Sequence, residues 1–152
     1  MIRLASRFDY EQIIDLFKDF AREGAYGSEA SQVEFDHEYI SKVLLHVQHM
    51  GLILVAEHEE NVVGFLMAVK SPDTWHPKYV RLQELAWYMH PDYRKSTLGG
   101  RLFKEYCQIA DDMIADGTIK EYSIVRMTTS PEMNLEQRGW KLKEYMYTKG
   151  AR

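Results

Sequence analysis

The chain has a single cysteine, Cys107, in 152 residues. It can close no internal disulfide and supplies no cysteine cluster for a metal. That fits a reducing compartment, and the cytoplasm is the expected location. Long apolar runs are also missing. The longest, around Leu52–Ala56 and Val62–Val69, are far too short to span a bilayer. The opening Met1-Ile2-Arg3-Leu4-Ala5-Ser6 lacks the apolar stretch of a signal peptide. Positive charge is not in excess: 19 Lys and Arg face 23 Asp and Glu, for a net charge of −4. A nucleic-acid partner, which needs a basic face, is therefore not expected, nor is a membrane. There is no internal repeat, no linker and no low-complexity segment.

What remains is the composition of a soluble globular domain, 45% hydrophobic and 28% charged. Its length suits one domain spanning 1–152. Charge is unevenly spread. Acids crowd the first forty residues, from Asp9 and Glu11 to Asp36 and Glu38, while Arg138, Lys141, Lys143, Lys149 and Arg152 gather at the end. An acidic region can attract a cationic amine, and it can equally be the solvated face of a helix.

Periodicity lays out the elements. Ile2–Ala5 reads as a short strand. Asp9 looks like a helix N-cap ahead of an apolar stripe at Ile13, Ile14, Phe17 and Phe20, with Gly24 as the stop. Tyr26-Gly27-Ser28 is a loop, and Val33–Met50 carries a second helical stripe ended by Gly51. Leu52–Glu57 and Val62–Val69 form a hairpin across a polar turn, and Tyr79–Met89 is a long strand. A helix runs from about Leu98 to Ala115. Tyr122–Met127 is a strand, Pro131–Arg138 a short helix, and Leu142–Thr148 a last strand. The expected fold is α/β (α+β) with a mixed, mostly antiparallel sheet, in the order β-α-α-β-β-β-α-β-α-β.

The stretch from His90 to Leu102 carries the chemistry. It leaves a strand and opens a helix, where the first N–H groups have no internal partner and the helix dipole favours an anion. Arg94, Lys95 and Arg101 add positive charge, Ser96 and Thr97 add hydroxyls, and Gly99 and Gly100 let a ligand approach the backbone closely. Physics alone makes this a phosphate cradle, or a turn that uses glycine and arginine for its own geometry.

His90-Pro91-Asp92-Tyr93-Arg94-x-x-x-Leu98-Gly99-x-Arg101-Leu102 resembles the acetyl-CoA signature of the GNAT superfamily of N-acetyltransferases. The Arg-Lys-Ser-Thr run is similar to variants in phage-type members. Two further segments support the likeness: Leu54-Val55-Ala56-Glu57 with Val63-Gly64-Phe65, and Asn134-Leu135-Glu136-Gln137-Arg138-Gly139-Trp140. Thr97 stands where that family has a glycine, and a threonine fits there only with negative φ.

The resemblance implies acetyl-CoA as cosubstrate, no metal, and direct acetyl transfer to a primary amine in a ternary complex. The acceptor would be a small molecule or a peptide, chosen by the first two helices and the loop before the fourth strand. A homodimer would be compatible. The fourth and fifth strands would splay apart around the pantetheine arm, with Trp87 and Tyr88 beside it and the Met89 N–H near the thioester carbonyl. Arg94, Lys95, Ser96, Thr97, Leu98, Gly99, Gly100 and Arg101 would hold the pyrophosphate. Glu84 is the expected general base, an acid set in an apolar strand, where burial raises its pKa. The tyrosine that many relatives use as general acid is replaced by Leu135, so Tyr145, Tyr147 or water would take its place. A different reading keeps the same fold as a non-catalytic module that binds a protein partner.

Overall fold

In a computed structural model, residues 1–25 and 34–150 are described. The Tyr26-Gly27-Ser28 loop lies outside them. β1 (Ile2–Leu4) leads through a 3₁₀ turn at Arg7–Asp9 into α1 (Tyr10–Phe20) and a wider π turn at Ala21–Ala25. Then come α2 (His37–Met50), β2 (Gly51–His58), β3 (Asn61–Pro72), β4 (Val80–Met89), α3 (Leu98–Ala115) and β5 (Glu121–Ser123). The sheet order is β1-β2-β3-β4-β5. The first four strands pair antiparallel, and β5 joins β4 in parallel after the α3 crossover.

The apolar stripes read in the sequence decide the layers. Ile13, Ile14, Leu16, Leu44 and Val47 bury one sheet face under α1 and α2, together with Val55, Phe65 and Tyr88. Leu98, Leu102, Phe103, Tyr106 and Ala110 bury the other face under α3, against Leu54, Leu66 and Leu82. α3 ends at Gly117, which sits at φ +82 with open space where a side chain would be. Gly117→Ala forces an L side chain into the left-handed region and should lower unfolding stability by about 1 kcal/mol, read as a shift in the urea midpoint.

Several boundaries move, each for a physical reason. Asp9 does stand before α1, but its carboxylate caps nothing there. It is taken instead by Arg3, Nη1 at 2.8 Å and Nη2 at 2.9 Å, and by Ser6. α2 starts later than Val33, because the Asp36 carboxylate accepts the Tyr39 N–H and caps it. β5 stops at Ser123, short of Met127, because the Val125 N–H leaves the ladder for the Glu84 carboxylate at 2.8 Å.

The helix expected at Pro131–Arg138 is only a 3₁₀ turn, Glu136–Arg138, closed by Gly139 at φ +87. The strand expected at Leu142–Thr148 does not form. Its alternation finds no face to lie on, with Leu142 and Met146 exposed, and a strand without a partner is not stable alone. Lys143 only reaches Glu121, at 3.5 Å.

Candidate active site

β4 is irregular at its centre. Met67 pairs with Ala86 but Ala68 pairs with Glu84, so Leu85 is an extra residue on β4. Such a bulge bends the strand and sharpens its twist. Pairing with β5 ends just before it: Arg81, Leu82 and Gln83 face Glu121, Tyr122 and Ser123, and among the described residues no strand pairs with that side of β4 beyond them. The two strands therefore part, as the resemblance implied. On the β3 side the His90 N–H donates to Val63 O at 2.8 Å. Alternation then turns the N–H groups of Trp87 and Met89 toward the gap. The Met89 carbonyl, on the same edge, accepts the Arg94 Nε–H at 3.0 Å.

Glu84 sits at the mouth of the gap, 4% exposed. Its register partner Ala68 packs in the α3 layer. Burial pushes its pKa up to about 7, with the Val125 N–H opposing the rise. The sequence argument that an acid in an apolar strand is buried and perturbed holds for the geometry of Glu84. Trp87 and Tyr88 take opposite faces. Trp87 stacks on Phe103, 5.3 Å between centroids at 11°, in the α3 layer. Tyr88 is buried under α1, and its hydroxyl donates to Glu23 at 2.6 Å.

The loop is built by short-range bonds. Ser96 Oγ donates to Tyr93 O at 2.6 Å and accepts the Leu98 N–H at 3.2 Å. Thr97 has φ −78 and ψ −7. Lys95 and Thr97 are both absent from the positive-φ residues among those described. Thr97 therefore meets the condition of negative φ, and the loop needs no glycine there. The Arg101 N–H bonds Thr97 O, while among the described residues the N–H groups of Gly99 and Gly100 have no acceptor. A Cβ on Gly100 would meet nothing within 4 Å, so a ligand can reach that backbone.

A cavity of about 420 Å³ begins at Gly100 and follows α3 past Phe103, Lys104 and Cys107 to Tyr122, Arg138 and Trp140. Its walls are aromatic: Phe103 lies 5.8 Å and Tyr122 5.1 Å from Trp140. Lys104 and Arg138 put positive charge at it. Of this group only Gly100 was an expected cofactor residue; Lys104 and Cys107, spaced with it along one face of a helix, were not.

The other expected residues are less close. Tyr145 and Tyr147 are 76% and 91% exposed on the terminal segment, with no hydrogen bond among the described residues. Leu135 packs against the α3 layer. Among the described residues no group of three His, Cys, Asp or Glu side chains could hold a metal ion. No helix among them is long and apolar enough to cross a membrane.

A sheet that opens at a bulged strand, with a helix start at its mouth whose Gly99 and Gly100 N–H groups have no acceptor among the described residues, is the arrangement the resemblance implied. The chain belongs to the acetyltransferase (GNAT) family, whose model matches residues 10–135. Solved structures agree on the fold. A possible acetyltransferase from Clostridium difficile 630 superposes with a TM-score of 0.71 at 20% identity, covering 100% of this chain and 97% of its own. A Trypanosoma brucei acetyltransferase gives 0.70 at 15% identity, covering 99% of each chain. An aminoglycoside acetyltransferase from an uncultured soil metagenomic sample, in complex with sisomicin, gives 0.67 at 15% identity, covering 97% of this chain and 95% of its own. No curated protein sequence matches.

Proposed function

We propose that this single domain is a cytoplasmic acetyl-CoA-dependent N-acetyltransferase that transfers the acetyl group directly to a primary amine in a ternary complex. The observation that carries this reading is Glu84, a carboxylate only 4% exposed, beside the stretch of β4 that pairs with no strand on the β5 side among the described residues, where burial pushes its pKa up to about 7. A structural acid would be paired with a cation or turned to water; among the described residues Glu84 has a single partner, the Val125 N–H.

The residues present fit the cosubstrate. The N–H groups of Gly99 and Gly100 and the charges of Lys95 and Arg101 suit its pyrophosphate. The aromatic cavity along α3 suits its adenosine end, with Lys104 and Arg138 for the remaining phosphate. When bound, acetyl-CoA supplies the acetyl group as an activated thioester. Glu84, ionised, accepts a proton from the acceptor's ammonium, directly or through one water, and leaves a neutral amine. The Met89 N–H, facing the gap, donates to oxygen as negative charge grows there. As the C–S bond breaks, the second proton shed by the attacking nitrogen would reach the leaving sulfur through Tyr145, Tyr147 or water at the open end of the gap. The acidic segment around α1 and the start of α2 favours a cationic acceptor, small molecule or peptide.

Titration calorimetry with acetyl-CoA should give a dissociation constant in the micromolar range that weakens with added salt, as expected for phosphate contacts. Silence at millimolar ligand would overturn the assignment. Binding without transfer to any amine in a broad panel would favour the non-catalytic module instead.

A further inference from the structure

Arg94 opens the cofactor loop, yet its guanidinium is already engaged from two sides. Nε donates to Met89 O at 3.0 Å, and Nη2 pairs with Glu23 Oε2. The other carboxylate oxygen, Oε1, accepts the Tyr88 hydroxyl at 2.6 Å. Arg94 also lies over the Tyr88 ring, 5.2 Å from its centroid. Four groups thus close a ring: the last two residues of β4, the arginine of the loop, and an acid on the π turn that follows α1. Burial pushes the Glu23 carboxyl up, but the bonds from Tyr88 and Arg94 outweigh it and hold it below the usual carboxylate range.

The Arg94 and Glu23 side chains are 41% and 43% exposed. An ion pair that open adds little to stability. What it fixes is direction. A free arginine side chain samples many rotamers, whereas this one is held at Nε and at Nη2. Three of its five N–H groups stay unused by these partners and remain for an anion at the loop.

We propose that Glu23 is a positioning residue for the cofactor loop, holding Arg94 across the end of β4 so that its remaining N–H groups meet the pyrophosphate. The inference rests on acetyl-CoA being the cosubstrate. It also links the turn after α1, on the acceptor side of the sheet, to the loop on the cofactor side.

Electrostatics alone makes the opposite forecast. Removing a negative charge beside an anion site should tighten binding. A purely structural role would change the melting temperature and leave affinity alone. The positioning role forecasts weaker binding on removal of the charge. The test is titration of acetyl-CoA into the full-length wild type, Glu23→Gln, Glu23→Asp and Tyr88→Phe, each with its melting temperature measured. Glu23→Gln is expected to weaken binding about tenfold, the scale of one charge-assisted contact. Glu23→Asp, too short to reach both partners, should behave alike, and Tyr88→Phe should weaken binding less. Unchanged or tighter binding by Glu23→Gln overturns the role of Glu23 and leaves the cosubstrate standing. A wild type that does not bind overturns both.

Discussion

Glu84→Gln is expected to slow acetyl transfer by about 10²- to 10⁴-fold, the usual worth of a positioned base. The same change should make the fold more stable in alkaline buffer. Glutamine keeps an oxygen for the Val125 N–H but carries no charge into the buried site. The sign follows from the raised pKa. In the unfolded chain Glu84 ionises near its ordinary value of 4.5, and in the fold it does so near 7. Burial therefore costs nothing below about 4.5, and the cost grows as pH rises and is complete above about 7. That cost is about 3 kcal/mol, which glutamine removes. At pH 8 the variant should melt on the order of 5–10 °C higher, and at pH 4 the two proteins should nearly coincide. Thermal melts at the two pH values check this. The wild-type rate should rise with pH through neutrality, as Glu84 loses its proton, and the residual rate of the variant should not follow that limb. A variant equally active, or equally stable at pH 8, would remove Glu84 from the chemistry.

The second large effect lies far from the gap. Arg3 on β1 holds the Asp9 carboxylate with two N–H groups and also pairs with Glu57 at 2.6 Å. Asp9 is only 4% exposed. Arg3→Met keeps the bulk of the stem but leaves a buried charge with two bonds from Ser6. Stranding one partner of a buried pair costs about 3 kcal/mol or more. The urea midpoint of Arg3→Met should fall accordingly, and replacing Asp9 as well should restore much of the loss.

The pH dependence runs opposite to that of Glu84. The bond to Arg3 leads in holding the Asp9 pKa at about 2, against 3.8 ordinarily. Its contribution is present above about 3.8 and is lost as pH falls toward 2. The gap between wild type and Arg3→Met should therefore narrow in acid, where Asp9 takes up a proton.

Long, strongly periodic segments were legible without coordinates. α3 runs over the same Leu98–Ala115 that its stripe predicted, and the hairpin of β2 and β3 lies where two apolar runs flank a polar turn. Glu84 was legible for a local reason, being an acid among apolar neighbours. The failures depend on distant partners. Leu142–Thr148 alternates like a strand, but alternation does not supply an edge to pair with. Glu23 lies 71 residues from Arg94, and nothing near it distinguishes it from the other acids of the first forty residues. The Leu85 bulge is invisible in a strand whose composition is unbroken, because a bulge is defined by the partner's count and not by its own sequence.

That single unpaired residue acts as a stop on a zipper. β4 and β5 close tooth by tooth through Gln83 and then can close no further, so the sheet is left unfinished on one side. Most sheets hide or blunt such an open seam because it invites other strands. In the function proposed here the seam is the workplace. Without Leu85 the register of β3 and β4 would run on unbroken, and β4 would lose the bend that starts the opening.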